Sequence, residues 1–136
     1  MKPSRGSSYI PTPDKFKNAK CGFINIRNED EMCFKYCMLY RQTEKGNHDT
    51  RLTVLKKVKD KYKWGAIAFP VSFTDIKNFE DLNQVCINIW GISEENTVHP
   101  LRLGTISYVK SDTINLLLLH DGDKGHYVYI KNRTSS

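Results

Sequence analysis

Apolar residues recur along this chain with two periods, and the change between them separates a helical first part from a strand-rich second part. From Cys33 the apolar positions follow the i, i+3, i+4 spacing of an amphipathic helix, which we expect to end near Gln42. A second helix is predicted at Arg51–Tyr62, with lysines on its outer side. Ser72-Phe73-Thr74-Asp75 has the sequence of a capping box and predicts a third helix, whose apolar side would hold Ile76, Phe79 and Leu82.

Past residue 84 the apolar period changes to two, which is typical of strands. Four strands are predicted, at Val85–Ile92, Val98–Leu103, Ile114–His120 and His126–Lys131. An earlier alternating segment, Gly22-Phe23-Ile24-Asn25-Ile26, predicts one short strand more. Helices followed by strands indicate an α+β fold, in which N-terminal helices pack on a C-terminal antiparallel sheet of about four strands.

The chain of 136 residues fits one domain with a real core. Residues 1–18 contain Pro3, Pro11 and Pro13 and show no periodicity, so we expect a flexible tail there and a single domain over residues 19–136. No apolar run approaches the roughly 18 residues of a membrane span, and no signal peptide is recognisable. We therefore expect an intracellular monomer, in the cytoplasm or nucleus, that does not associate with membranes.

The formal net charge of +6 would suit a nucleic-acid partner. The basic residues are spread along the chain, however, and the densest group lies on the predicted helix Arg51–Tyr62 with Asp60 among its lysines. Such a group is more often a solvated helix face than a binding site. Nucleic-acid binding through this basic surface therefore stays an alternative.

Cys33 is the strongest candidate for chemistry. The four cysteines form no CxxC pair, which favours reduced thiols. Cys33 follows the polar turn Asn28-Glu29-Asp30-Glu31 at the predicted start of a helix, where unpaired N–H groups and the helix dipole lower a thiol pKa. Cys37 lies one turn further along, where the dipole is weaker, and core packing is the better interpretation.

His126 is the matching candidate base. It follows the turn Asp121-Gly122-Asp123-Lys124-Gly125 and opens the last predicted strand, from which we expect it to face the helix that begins at Cys33. A thiol at a helix start with a later histidine on a strand is the layout of a papain-like thiol protease. His120, at the end of the preceding strand, is the second choice.

The residue that orients the imidazole is open between several candidates. Asn132 lies six residues beyond His126, about 20 Å along a straight strand, and would need a bend after Ile130. Asp30 either orients the histidine or only caps the helix. Asp121 and Asp123 are further candidates, and of all these we favour Asn132.

A zinc site formed by Cys33, Cys37, His120 and His126 is the alternative use of the same residues. The 82 residues between Cys37 and His120 exceed the usual spacing in structural zinc modules. We therefore predict neither a metal nor a cofactor.

Asp30-Glu31-Met32-Cys33-Phe34 together with His126-Tyr127 resembles the motif pair of the ovarian-tumour (OTU) deubiquitinases, and the layout also resembles viral tegument-type deubiquitinases. Glu31 replaces the usual glycine, and Val128 stands where OTU enzymes carry a polar orienting residue. From Lys20 to Asn132 the chain is similar to a domain of proteins from Maverick/Polinton-type transposons.

These resemblances imply a papain-like fold and a cysteine isopeptidase that cleaves ubiquitin or ubiquitin-like conjugates after Gly-Gly. Trp64 and Trp90 are candidate walls of a glycine-selective tunnel, although core packing competes as an explanation for each. Two other functions stay open: a non-enzymatic nucleic-acid-binding module of a mobile element, and a processing peptidase that does not recognise ubiquitin.

Overall fold

The structure is a computed structural model that describes residues 9–17, 22–28, 32–43, 55–95, 97–122 and 124–131. Within this part of the chain the two α-helices are α1, Cys33–Thr43, and α2, Phe73–Asn83. The strands are β1, Phe23–Ile24; β2, Cys86–Ile92; β3, Val98–Arg102; β4, Thr113–Asp121; and β5, Lys124–Ile130. Neither helix, at eleven residues each, is long and apolar enough to cross a membrane.

Helix α1 is the central element of the core. The sequence predicts an amphipathic helix with Tyr36 and Tyr40 at its flank, yet both tyrosines are as buried as Phe34 and Met38. The helix packs against β5 on one side and a 3₁₀ segment, Lys56–Lys61, on another. A helix enclosed in this way holds its first turn in a fixed position relative to the sheet.

The helix predicted at Arg51–Tyr62 takes a different form where it is described. Residues 51–54 lie outside the described part of the chain, and Lys56–Lys61 form a 3₁₀ helix rather than an α-helix. Leu55 and Tyr62, which flank that 3₁₀ segment, are buried as expected.

Helix α2 begins with the predicted capping box. The Ser72 hydroxyl accepts the Asp75 N–H at 3.1 Å, and the Asp75 carboxylate accepts the Ser72 N–H at 3.1 Å. Ile76 and Phe79 are buried, but Leu82 is 43% exposed, contrary to prediction. At 3.6 residues per turn the stripe through Ile76 and Phe79 passes through Glu80 rather than Leu82, and Glu80 is fully buried.

The sheet has five strands in the order β1-β5-β4-β2-β3 and is mixed. The expected antiparallel sheet of about four strands is therefore wrong in two respects: β1 joins the sheet beside β5, and β2 runs parallel to β4. β3 turns back along the outer edge of β2, and the chain then crosses over before β4 begins. The α+β class itself is confirmed.

The sheet has two covered faces. Alternate residues of β5, Tyr127 and Tyr129, belong to the main core with α1 and α2. Val128 lies on the other face, in a smaller cluster with Leu117, Leu119 and Ile10. Ile10 belongs to the segment that we expected to be a tail, so the described residues 9–17 contribute to the domain.

A buried carboxylate joins α2 to the connection that follows β3. Glu80 accepts hydrogen bonds from Arg102 at 2.8 Å, from the Ile87 N–H at 2.7 Å and from the Thr105 hydroxyl at 2.7 Å. Burial alone would raise the pKa of Glu80, but the hydrogen bonds from Arg102, Ile87 and Thr105 outweigh it and hold the pKa below its usual value. The ionised carboxylate therefore stabilises the crossover that makes the sheet mixed.

We expect Glu80→Gln to lower the free energy of unfolding by about 3 kcal/mol, because it leaves the Arg102 charge without its buried partner. Urea unfolding at pH 7 measures this. The native pKa is lowered, so the contribution of Glu80 is complete above the ordinary glutamate pKa of about 4.3 and is lost as the pH falls through the native pKa.

Asp81→Asn is the matched control, because Asp81 is the next residue of α2 and its carboxylate pairs with Lys77 at the surface. A loss in Asp81→Asn as large as that in Glu80→Gln would contradict the role assigned to the buried carboxylate.

Candidate active site

Cys33 is the first residue of α1 and lies against the main chain of β5. Its side chain is 3% exposed, and its Sγ accepts the backbone N–H of Tyr127 at 3.2 Å. That nitrogen belongs to the peptide bond between His126 and Tyr127, so the sulfur lies beside the backbone of His126. An N–H donor and the positive end of a helix dipole both favour a negatively charged sulfur.

Cys37 also binds the backbone of Tyr127, but as a hydrogen-bond donor. Its S–H donates to the Tyr127 carbonyl oxygen at 3.4 Å. Cys33 and Cys37 are four residues apart and therefore share one face of α1. One sulfur accepts a hydrogen bond and the other donates one, which corresponds to a thiolate-compatible Cys33 and a protonated Cys37.

The ionisation of Cys37 is disfavoured on two counts. Burial raises the pKa of the Cys37 thiol well above its usual value, and a negative charge on Cys33 raises it further. Burial also raises the pKa of the Tyr127 hydroxyl, with Cys33 and Cys37 adding to the effect. Of the two thiols, Cys33 is therefore the one whose backbone contact favours a negative charge.

His126 is fully buried in β5 but is not on the side that we expected. Side chains alternate along a strand, so His126 shares a face with Val128, whereas Tyr127 and Tyr129 face α1. α1 meets β5 at the edge of that strand, where the two thiols bind the backbone of Tyr127. The Cys33 sulfur therefore lies next to the backbone of His126, whose side chain does not lie beneath the helix.

Asn25 is the hydrogen-bond partner of the imidazole. His126 Nε2 lies 2.6 Å from Asn25 Oδ1, and the Asn25 Nδ2 group donates to the Ile10 carbonyl at 2.8 Å and to Thr12 Oγ1 at 2.9 Å. A carbonyl oxygen only accepts, so the contact with Ile10 fixes which end of the amide is NH₂. Oδ1 therefore faces the imidazole and Nε2 carries a proton, so Nδ1 has the lone pair whenever the ring is neutral.

Tyr9 and Arg27 complete the surroundings of the imidazole. The Tyr9 ring meets the His126 ring edge-on, with centroids 5.7 Å apart and planes at 71°. The Arg27 guanidinium carbon lies 4.4 Å from the centre of the Tyr9 ring, and the Tyr9 N–H donates to the Asn28 carbonyl at 3.2 Å. These contacts shield the bond between His126 and Asn25 from water.

The sequence analysis missed Asn25. The available signal was an amide within an otherwise apolar short strand, Phe23-Ile24-Asn25-Ile26. Its partner could be named only by knowing that β1 pairs with β5, through Phe23 with Ile130 and Ile24 with Tyr129. The favoured orienting residue, Asn132, and its rivals Asp30 and Asp123 lie outside the described residues. Asp121, the remaining candidate, ends β4 with an exposed side chain.

The other predicted site residues are dispersed. His120 is exposed near the end of β4, where it pairs with Gly125. Trp90 donates to Asn115 at 3.0 Å in β4 and belongs to the smaller cluster, two strands away from β5. Trp64 packs on Phe79 in the core, and its ring also lies 5.3 Å from Lys35 Nζ in the first turn of α1. Of the two tryptophans, Trp64 is the nearer to the start of α1.

A depression of about 390 Å³ lies beside the first turn of α1. Its described lining is Met32, Lys35, Tyr36, Lys56 and Lys59. No group of three or more histidine, cysteine or acidic side chains within the described ranges could hold a metal ion. The depression is therefore a basic surface beside the first turn of α1.

No family model, curated protein or solved structure matches this chain. The functional assignment therefore depends on the contacts of Cys33, His126 and Asn25 and on the motif resemblance.

We expect Cys33 to react with iodoacetamide at neutral pH much faster than Cys37, because only Cys33 has an N–H donor and a helix start to stabilise its thiolate. Mass spectrometry of the intact, folded protein after partial labelling measures this by assigning the modified peptide. Preferential labelling of Cys37 would contradict the assignment of the nucleophile. Cys33→Ser, labelled in parallel, controls for slow reaction elsewhere.

Proposed function

We propose that this protein is a cysteine isopeptidase that cleaves ubiquitin or ubiquitin-like conjugates after their C-terminal Gly-Gly. The observation that supports this proposal most is the chain of contacts from Asn25 through His126 to the peptide nitrogen that binds the Cys33 sulfur. In this proposal Cys33 is the nucleophile, His126 the base and Asn25 the orienting acceptor, which are the three parts of thiol-protease chemistry.

In the first half of the reaction His126 Nδ1 takes the proton of the Cys33 thiol, and the sulfur attacks the carbonyl carbon of the terminal glycine. Backbone N–H groups at the start of α1 are the nearest donors for the oxyanion. As the tetrahedral intermediate collapses, the C–N bond breaks and the imidazolium returns its proton to the departing lysine amine. A thioester on Cys33 remains.

In the second half a water molecule gives a proton to His126 Nδ1 and attacks the thioester carbonyl. The C–S bond then breaks, and the sulfur recovers its proton from the imidazolium. The ubiquitin carboxyl group releases its remaining proton to solvent and leaves as a carboxylate. Asn25 Oδ1 accepts the Nε2–H throughout, so it stabilises the imidazolium formed in each half. With Nε2 bonded to Asn25 and Nδ1 acting on the thiol, neither Asn132 nor Asp30 is required as an orienting residue.

Two features support a glycine-ended substrate. The motif pair around Cys33 and His126 resembles that of deubiquitinases. The reactive side chains are also nearly enclosed, at 3% exposure for Cys33 and 0% for His126. A chain end without side chains reaches such a sulfur more easily than a bulky residue does, which favours Gly-Gly over a general peptidase specificity.

We expect a ubiquitin probe with a C-terminal electrophile to add covalently to Cys33, as judged by the mass of the intact protein and of its peptides. His126→Ala should abolish the reaction because the thiol then lacks its base, whereas His120→Ala, at an exposed position, should react like the wild type. If His120→Ala loses the reaction and His126→Ala keeps it, the base has been misassigned. Absence of labelling in the wild type would contradict the ubiquitin substrate.

We expect Asn25→Ala to lower kcat on a fluorogenic ubiquitin substrate by roughly 100-fold with little change in KM, because the imidazole loses its orienting acceptor. Asn83→Ala is the matched control: the Asn83 amide also makes several hydrogen bonds, but at the end of α2. The variants are compared at equal folded fraction. A kcat for Asn25→Ala equal to that of Asn83→Ala would contradict the orienting role.

A second candidate function is nucleic-acid binding. The lysines of the depression beside α1, Lys35, Lys56 and Lys59, favour an anionic partner. Salt-dependent DNA binding that persists in Cys33→Ala, in a protein that the ubiquitin probe does not label, would support this function instead.

A further inference from the structure

We propose that Thr12 is a positioning residue for His126 and acts through the side-chain amide of Asn25; this inference rests on the proposed function. The contact chain runs from Thr12 Oγ1 to Asn25 Nδ2 at 2.9 Å and from Asn25 Oδ1 to His126 Nε2 at 2.6 Å. Thr12 and His126 are 114 residues apart in the sequence, yet two successive hydrogen bonds connect the Thr12 hydroxyl to the imidazole.

The contacts of Nδ2 determine which tautomer of the histidine is present. An amide can turn over and exchange its oxygen with its NH₂ group. In the turned orientation NH₂ would face His126 Nε2, which would then have to accept, and the ring proton would move to Nδ1. A ring protonated at Nδ1 cannot take the proton of the Cys33 thiol. The orientation of Asn25 therefore decides whether the base is competent.

The Ile10 carbonyl selects the competent orientation because it only accepts, and the Thr12 hydroxyl holds the amide in place. Each accepts one hydrogen of the Nδ2 group, Thr12 at 2.9 Å and Ile10 at 2.8 Å. Thr12 is 8% exposed, so water competes little for the same hydrogen. Removal of the hydroxyl leaves one Nδ2 hydrogen without this acceptor and loosens the position of Asn25 Oδ1 against His126 Nε2.

The segment that carries Thr12 is itself fixed on the sheet. Ile10 packs with Leu117, Leu119 and Val128 in the smaller cluster. The Tyr9 N–H donates to the Asn28 carbonyl, and the Tyr9 ring lies against the imidazole of His126. Thr12 therefore approaches Asn25 from an anchored backbone, as a positioning residue requires.

The test compares Thr12→Val, which keeps the shape but removes the hydroxyl, with Thr12→Ser, which keeps the hydroxyl. Thr113→Val is the control, because the Thr113 hydroxyl is also hydrogen-bonded, to the Val109 carbonyl at the start of β4. The first readout is the Nε2–H signal of His126, from ¹H–¹⁵N spectra of the full-length protein. We expect slow exchange of this proton with water in the wild type, Thr12→Ser and Thr113→Val, and faster exchange in Thr12→Val.

The second readout is kinetic. We expect Thr12→Val to lower kcat on the ubiquitin substrate about tenfold with KM nearly unchanged, and Thr12→Ser to restore most of the loss. If Thr12→Val does not fold, Thr12→Ala removes the same hydroxyl and the same spectra decide. An unchanged exchange rate of the Nε2–H proton in the valine or alanine variant, or an equal defect in Thr12→Ser, would overturn the proposal. The spectra need no substrate, so they test Thr12 even if the ubiquitin probe fails to react.

Discussion

The candidate site depends on two hydrogen bonds that join the backbone of Tyr127 to the sulfurs of Cys33 and Cys37. β1 pairs with β5 only at Ile130 and Tyr129, so beyond these residues the edge of β5 needs other partners. A buried peptide group left without a hydrogen bond costs about 1–3 kcal/mol. Cys33 and Cys37 supply an acceptor and a donor to Tyr127, and the start of α1 is thereby fixed beside His126.

The same contact separates the roles of the two cysteines. Both are buried and both lie on one face of α1, so burial alone does not distinguish them. The N–H of Tyr127 favours a negative sulfur at Cys33, whereas the carbonyl of Tyr127 requires a proton on Cys37. The backbone of one residue in β5 thus favours a negative charge on Cys33 over Cys37, as the helix dipole does.

Features set by local sequence could be predicted, and those set by pairing between distant segments could not. The start of α1 at Cys33 and the capping box of α2 follow from neighbouring residues. The parallel pairing of β2 with β4 depends on a crossover with no periodic signal. Asn25 was missed for the same reason, because its role exists only once β1 lies beside β5.

The short length of β1 accounts for both halves of the candidate site. If β1 continued in register, Asn25 would pair with Val128 and Ile26 with Tyr127, and the Tyr127 peptide groups would be bound by a strand rather than by thiols. Because β1 ends at Ile24, the edge of β5 is open to α1. The Asn25 amide, on the same face of the sheet as His126, reaches the imidazole diagonally. Ending the strand there places the Asn25 amide against the His126 ring and the Cys33 thiol against the peptide group that follows His126.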